Sequence, residues 1–152
     1  MPTPPADAGF AARTRDSFAR QPAMATIGAT LAEVEPGRVV VALQHRPELC
    51  QQHGFVHAGM VATALDSACG YAAFTLMPAD AGVLTIEFKV NLLSPARGPA
   101  FRMEAEVTKA GRTISVVDGR AFQCEADGSG RKLIATMTAT VMTVTGRDAV
   151  RG

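Results

Sequence analysis

No run of basic residues occurs anywhere in this chain, and its 15 Lys and Arg are nearly balanced by 14 Asp and Glu. A surface so close to neutral lacks the electrostatic footprint of a protein that binds nucleic acid or an anionic membrane. Cysteine is scarce as well. Cys50, Cys69 and Cys124 are odd in number and show no CxxC spacing, which argues against a disulfide framework and for a reducing compartment, read as the cytoplasm. The opening residues, MPTPPADAGF, carry proline where a secretory leader carries Lys or Arg before an apolar core, so they are read as a flexible tail. At 152 residues the chain is long enough for one domain with a real core. The expected partner is a small molecule.

Charge is also nearly missing from His57 to Ala79, where Asp66 is the one charged residue in an apolar, small-residue run. The run does not read as a membrane span, because it has a mid-segment acid, many Ala and Gly, and no Lys or Arg at either end. A helix apolar on every side is expected to be buried on every side. Asp66 then enters a low-dielectric interior, where an unpaired carboxylate is costly. Two readings follow: a structural Asp bonded to its neighbours, or a functional carboxylate.

Around this helix the pattern is β-rich. Residues 13–21 suit a short helix capped near Asp16 or Ser17 and stopped by Pro22. Residues 29–35 and 38–44 form a hairpin across Pro36-Gly37. From Gly82, Leu84, Ile86, Phe88, Val90 and Leu92 alternate with Thr85, Glu87, Lys89 and Asn91, as in a half-buried strand. Phe101 to Thr108 alternates likewise. Residues 113–125 make a fifth strand in which adjacent Val116 and Val117 suggest a bulge, and a turn at 127–130 leads to a last strand over 132–144. The order β-β-α-β-β-β-β predicts an α+β fold, one long helix wrapped by a mostly antiparallel sheet of about six strands. Residues 1–12 and 146–152 are read as tails of a single domain over 13–145. One helix cannot cover both faces of such a sheet, and the Thr and charged residues at outward positions suit solvent on most of the outer face.

The helix entry reads Gln51-Gln52-His53-Gly54-Phe55-Val56-His57-Ala58-Gly59. Free N–H groups at a helix start favour an anion or a developing oxyanion, and small Ala58 and Gly59 admit a close ligand. With a buried carboxylate this suits acyl transfer. Ala58 and Asp66 are, however, about 12 Å apart along one helix, too far to touch one carbonyl. If they cooperate, they come from two helices, most simply antiparallel helices of a two-fold dimer.

The pattern Gln51-x-x-Gly54-x-x-His57-Ala58-Gly59, six residues, Asp66, then Thr85-Ile86-Glu87 and Asn91-Leu92-Leu93-Ser94-Pro95-Ala96, resembles the hotdog-fold acyl-CoA thioesterases of the PaaI type. The likeness runs over roughly residues 28–144 and includes the turn Lys109-x-Gly111-Arg112-Thr113. It implies an acyl-CoA or aryl-CoA thioesterase without metal or cofactor, acting as a homodimer or a dimer of dimers. Asp66 takes the place of the family's catalytic carboxylate, as general base or nucleophile. The amide of Ala58, with Gly59, takes the place of the donor that polarises the carbonyl across the interface. Gln51 stands where many relatives have Asn, with Gln52 as an alternative, and Thr85 where some have a water-holding hydroxyl. Gly54, His57 and Asn91 are placed near the substrate. Ala58 replaces the first Gly of the usual pair, which a backbone donor tolerates. Strict alternation puts Thr85 opposite its strand's apolar face, so it reaches the site only if that face borders a partner.

Other candidates are weaker. His53 and His57 lack the Glu of a metal-binding HExxH. Cys69 lies about 18 Å up the helix from His57, too far for a nucleophile and base; Cys50 and Cys69 read as small buried fillers. His57 is read as orienting the loop. Arg97, Lys109 and Arg112 sit in turns, either solvated or meeting CoA phosphates. Two rivals stand beside hydrolysis: a hotdog hydratase pairing Asp with His, and an acyl-CoA-binding module without turnover.

Overall fold

The computed structural model describes residues 3–152. In chain order the elements are α1 (Phe10–Ala19), α2 (Pro22–Ile27), β1 (Thr30–Glu35), β2 (Arg38–Gln44), a 3-10 turn at Pro47–Leu49, α3 (Ala58–Phe74), β3 (Gly82–Leu92), β4 (Ala100–Lys109), β5 (Ile114–Cys124) and β6 (Lys132–Val144). The six strands form one sheet in the order β1-β2-β4-β5-β6-β3, every neighbouring pair antiparallel. This is the expected α+β wrap of a sheet around one long helix. Among the described residues no helix is long and apolar enough to cross a membrane.

Period-two burial makes the wrap possible. Val39, Val41 and Leu43 of β2, Phe101, Met103 and Ala105 of β4, and Ala135, Met137, Ala139 and Val141 of β6 are buried in one core with Val61, Leu65, Ala68 and Ala72 of α3. Gly119 on β5 sets how closely the helix sits. A Cβ there would lie 2.8 Å from Cys69 Sγ and 3.0 Å from Leu65 Cδ1, so only hydrogen fits between helix and strand.

α3 ends at Phe74, earlier than the apolar run through Ala79 suggests. Pro78 has no N–H to give the Phe74 carbonyl, which accepts the Met77 N–H at 3.1 Å and Arg13 Nη2 at 3.2 Å; Arg13 Nη2 also donates to Met77 O at 2.9 Å. The guanidinium also stacks on the Phe74 ring and pairs with Asp7. This anchoring moves the expected start of ordered structure: Asp7 accepts the Gly9 N–H, and α1 begins at Phe10, inside the stretch read as a tail. Pro22, expected only as a stop, opens α2 at its first turn. At the other end Gly152 donates its N–H to Ala81 O, so 146–152 folds back on the α3–β3 connection.

The bulges also differ from expectation. Opposite Val116 and Val117 the extra residue is Thr108 on β4, because Val107 pairs with Val117 and Lys109 with Val116. β6 carries an extra residue at Ile134, and β3 one at Ile86. The last two shape the site.

Candidate active site

α3 starts beside a cavity of about 570 Å³ lined by Phe55, Val61, Leu93, Ile134 and other apolar side chains, with Gln51, His57, Ala58 and Ser94 as its polar or small members. Three backbone bonds hold the entry: Val56 N–H to Ala96 O, His57 N–H to Leu49 O, and Gln51 N–H to Phe55 O. Gly54 turns the loop at a φ of 84°, a conformation that favours glycine. His45 Nε2 braces it from outside, 3.0 Å from Gly54 O and 3.1 Å from Cys50 Sγ.

His57 is the N-cap of α3. Its Nδ1 accepts the Gly59 N–H at 2.9 Å, and its carbonyl accepts the N–H groups of Met60 and Val61. Nδ1 is therefore unprotonated in this arrangement, and His57 orients the loop. Among the described residues this leaves the Ala58 N–H without an acceptor, on the cavity wall. The expected second donor, Gly59, is corrected: its N–H is spent on His57. Gln51 lines the cavity too, and its Oε1 accepts the His53 N–H, which leaves its NH2 group as the available donor.

Asp66 lies two turns on and outside that cavity. It is half-buried, not enclosed as the apolar run suggests, because α3 leaves Gly59, Thr63 and Asp66 open along one stripe beside β3. Burial pushes its carboxyl above the usual carboxylate range, and a hydrogen bond from Thr85 Oγ1 at 2.8 Å partly opposes that rise. Thr85 reaches Asp66 within one chain because of the Ile86 bulge. Thr85 pairs with Val141 and Phe88 with Ala139, both helix-facing positions of β6. The extra residue flips the alternation, so Thr85 shares a face with Phe88, Val90 and Leu92, while Leu84 turns outward. The expectation that only a partner could bring Thr85 to the site is overturned.

The remaining candidates scatter. Asn91 faces the opposite way, its Nδ2 donating to Thr136 Oγ1 on the outer face. The same motif does line the cavity, through Leu92 to Ala96, and Ser94 is the polar residue that sequence reasoning passed over. The signal was there, since alternation puts Leu92 opposite Asn91. The Ile134 bulge hooks this wall in place: Ile134 O accepts the N–H groups of both Leu93 and Ser94. Gln52 is exposed in the turn and does not line the cavity. Arg97 sits at the rim, 4.7 Å over the Phe55 ring. Lys109 and Arg112 are not brought to the cavity of their own chain. Arg112 lines a hollow with Leu76 and Met77, past the far end of α3, roughly 25 Å away by helix length. Cys69 is fully buried, its thiol pushed up by that burial, as a filler would be.

Comparison with known proteins bears on this geometry directly. A model of the thioesterase superfamily matches residues 53–126. The crystal structure of a thioesterase family protein from Silicibacter pomeroyi is 55% identical and superposes with a TM-score of 0.87, covering 91% of this chain and 100% of that one. The E. coli PaaI protein of the phenylacetic acid degradation operon is 15% identical with a TM-score of 0.79, over 90% of this chain and 94% of that one, a likeness of fold. A Saccharolobus solfataricus protein described as a candidate esterase is 35% identical over 85 residues, 56% of this chain and 60% of that one. The chain spans 60% to 64% of the length of three curated relatives it matches. The matched segment runs from the loop before α3 through Asp66 to the end of β5, and 55% identity holds along the whole of one relative, so the chain belongs to the thioesterase superfamily and has its hotdog fold.

Proposed function

We propose that the protein hydrolyses acyl-CoA or aryl-CoA thioesters to free acid and CoA, at sites shared between two subunits. One observation carries this reading: Ala58 lines an apolar cavity and, among the described residues, its N–H has no acceptor, while Asp66, a half-buried carboxylate, stands outside that cavity on an open stripe of the same helix. A second copy running antiparallel would bring the partner subunit's Asp66 to the Ala58 end. The exposed edge strand supports such pairing, because Leu84, Ile86 and Phe88 of β3 are 50%, 55% and 43% exposed. Two such dimers can pair again. Three free cysteines suit a reducing, cytoplasmic setting.

In this reading the thioester carbonyl oxygen accepts hydrogen bonds from the Ala58 N–H and the Gln51 NH2, at the positive end of the α3 dipole. Water attacks the carbonyl carbon as a carboxylate oxygen of Asp66 takes its proton; the C–S bond then breaks and CoA leaves as thiolate. Thr85 holds Oδ1 and leaves Oδ2 to face the water. Attack by Asp66 itself, through an anhydride, uses the same atoms. A raised carboxylate pKa strengthens Asp66 as a base. Hydration of a double bond is less favoured, because His57 is committed to the Gly59 N–H and not to Asp66.

The test is thiol release across short, medium, long and aromatic acyl-CoAs, with binding measured alongside. Turnover of at least one class is expected. Tight binding without thiol release would make the protein a binding module.

A further inference from the structure

The cavity and its rim differ in charge. Among the described residues no Asp, Glu, Lys or Arg lines the cavity, which suits an uncharged alkyl or aryl acyl group. Arg97 stands just outside, next in sequence to Pro95 and Ala96 of the cavity wall. Its guanidinium lies 4.7 Å over the Phe55 ring, a side chain that itself lines the cavity, and its backbone N–H is held by Gln123 Oε1 at 3.0 Å. Arg13, Arg20, Arg38, Arg102, Arg131 and Arg151 each pair with a carboxylate. Among the described residues Arg97, like Arg15, Arg46, Arg112, Arg120 and Arg147, has no such partner; it is exposed, and its guanidinium sits on a ring that lines the cavity.

A guanidinium that meets a ring through its face leaves in-plane N–H donors for a ligand, in a fork that matches phosphate oxygens. We propose that Arg97 binds a phosphate of the thioester's carrier, with the acyl group inside the cavity and the anionic end outside. This rests on the reading that the cavity accepts CoA thioesters, and it assigns the direction in which they lie. The Phe55 contact holds the guanidinium before the ligand arrives, and the Gln123 bond fixes the backbone that carries it, so less rotamer freedom is lost on binding.

The experiment compares wild type, Arg97→Met and Arg97→Lys by calorimetry at low ionic strength, with CoA, 3′-dephospho-CoA and pantetheine as probes. Met keeps an unbranched apolar stem of similar length and removes the guanidinium with its charge. Arg97→Met is expected to weaken CoA binding about tenfold, the scale of one exposed charge-assisted contact, and to leave pantetheine unchanged. Arg97→Lys keeps the charge but loses the planar fork, so it should fall between wild type and Arg97→Met. A loss that persists with 3′-dephospho-CoA puts the contact on the diphosphate, and one that vanishes puts it on the 3′-phosphate; either supports the assignment. Equal CoA affinity in wild type and Arg97→Met would overturn it, as would an equal loss toward pantetheine, which would mean Arg97 acts by shaping the cavity through Phe55. A protein that binds CoA through Arg97 yet releases no thiol from any thioester would sink hydrolysis and keep this contact. A wild type that binds no CoA overturns both.

Discussion

Mixing two inactive variants offers the sharpest check on a shared site. Ala58→Pro deletes the N–H of a residue that lines the cavity, and the local geometry accepts proline. Ala58 is the first helical residue, its N–H has no acceptor among the described residues, and His57 before it has φ −59° and ψ 138°, the extended region that a residue before proline prefers. The variant should fold like wild type and be nearly inactive. Asp66→Ala should also fold and lose about a hundredfold or more of the rate, as removal of a general base does. Within one chain the two positions are about 12 Å apart along α3, so each site must draw one of them from each subunit. In a mixed dimer one site then receives both defects and the other neither. Random pairing makes about half the dimers mixed, each with one good site of two, so roughly a quarter of wild-type activity should return. Thiol release would be read after subunit exchange has been verified with differently tagged chains. No recovery would refute the shared site, leaving the amide and the carboxylate in one subunit or one of them without a catalytic part.

Other outcomes follow from the same geometry. Because the Thr85 hydrogen bond holds the Asp66 pKa down against burial, Thr85→Val should move the acid limb of the pH–rate profile to higher pH and lower the rate less than Asp66→Ala does; an unmoved limb would mean the titrating base is another group. A carboxyl whose folded pKa is raised binds its proton more tightly when folded. Its ionisation therefore costs stability, a cost that grows as pH rises from the unfolded to the folded pKa, and Asp66→Asn should raise the melting temperature at neutral pH but not well below both values. Gln51→Ala should also cost less rate than Asp66→Ala, since it removes one of two donors; an equal loss would reverse the assigned roles. Gly119→Ala should destabilise by about 1–3 kcal/mol through contact with Cys69 Sγ and Leu65, and Cys69→Ala should recover part of it in a double-mutant cycle read by urea unfolding.

The sequence alone was enough to outline most of the architecture. Alternation over residues 101–108 and 132–144, the apolar run from His57, and the turn residues at 36–37 and 127–130 are local signals, because strand and helix periods and turn chemistry are set by neighbours in the chain. Asp66 and the Ala58 amide stood out for the same reason: one is a lone charge in an apolar helix, the other a helix start flanked by small residues. Bulges carry no such signal. Whether Thr85 faces the helix or solvent depends on one extra residue at Ile86, and that register is decided by how β3 pairs with β6. Two adjacent valines in β5 pointed to a bulge, yet the extra residue lies on the facing strand, at Thr108, since a bulge belongs to a pair of strands. Only the tertiary structure could show that His57 consumes the Gly59 N–H, that Leu92 to Ala96 wall the cavity while Asn91 faces away, and that Arg97 is at its rim while Lys109 and Arg112 are at the other end of the helix. All but the His57–Gly59 bond, which is local, depend on contacts between residues far apart in the chain. Residue type and spacing state which groups can do chemistry; packing decides which of them meet.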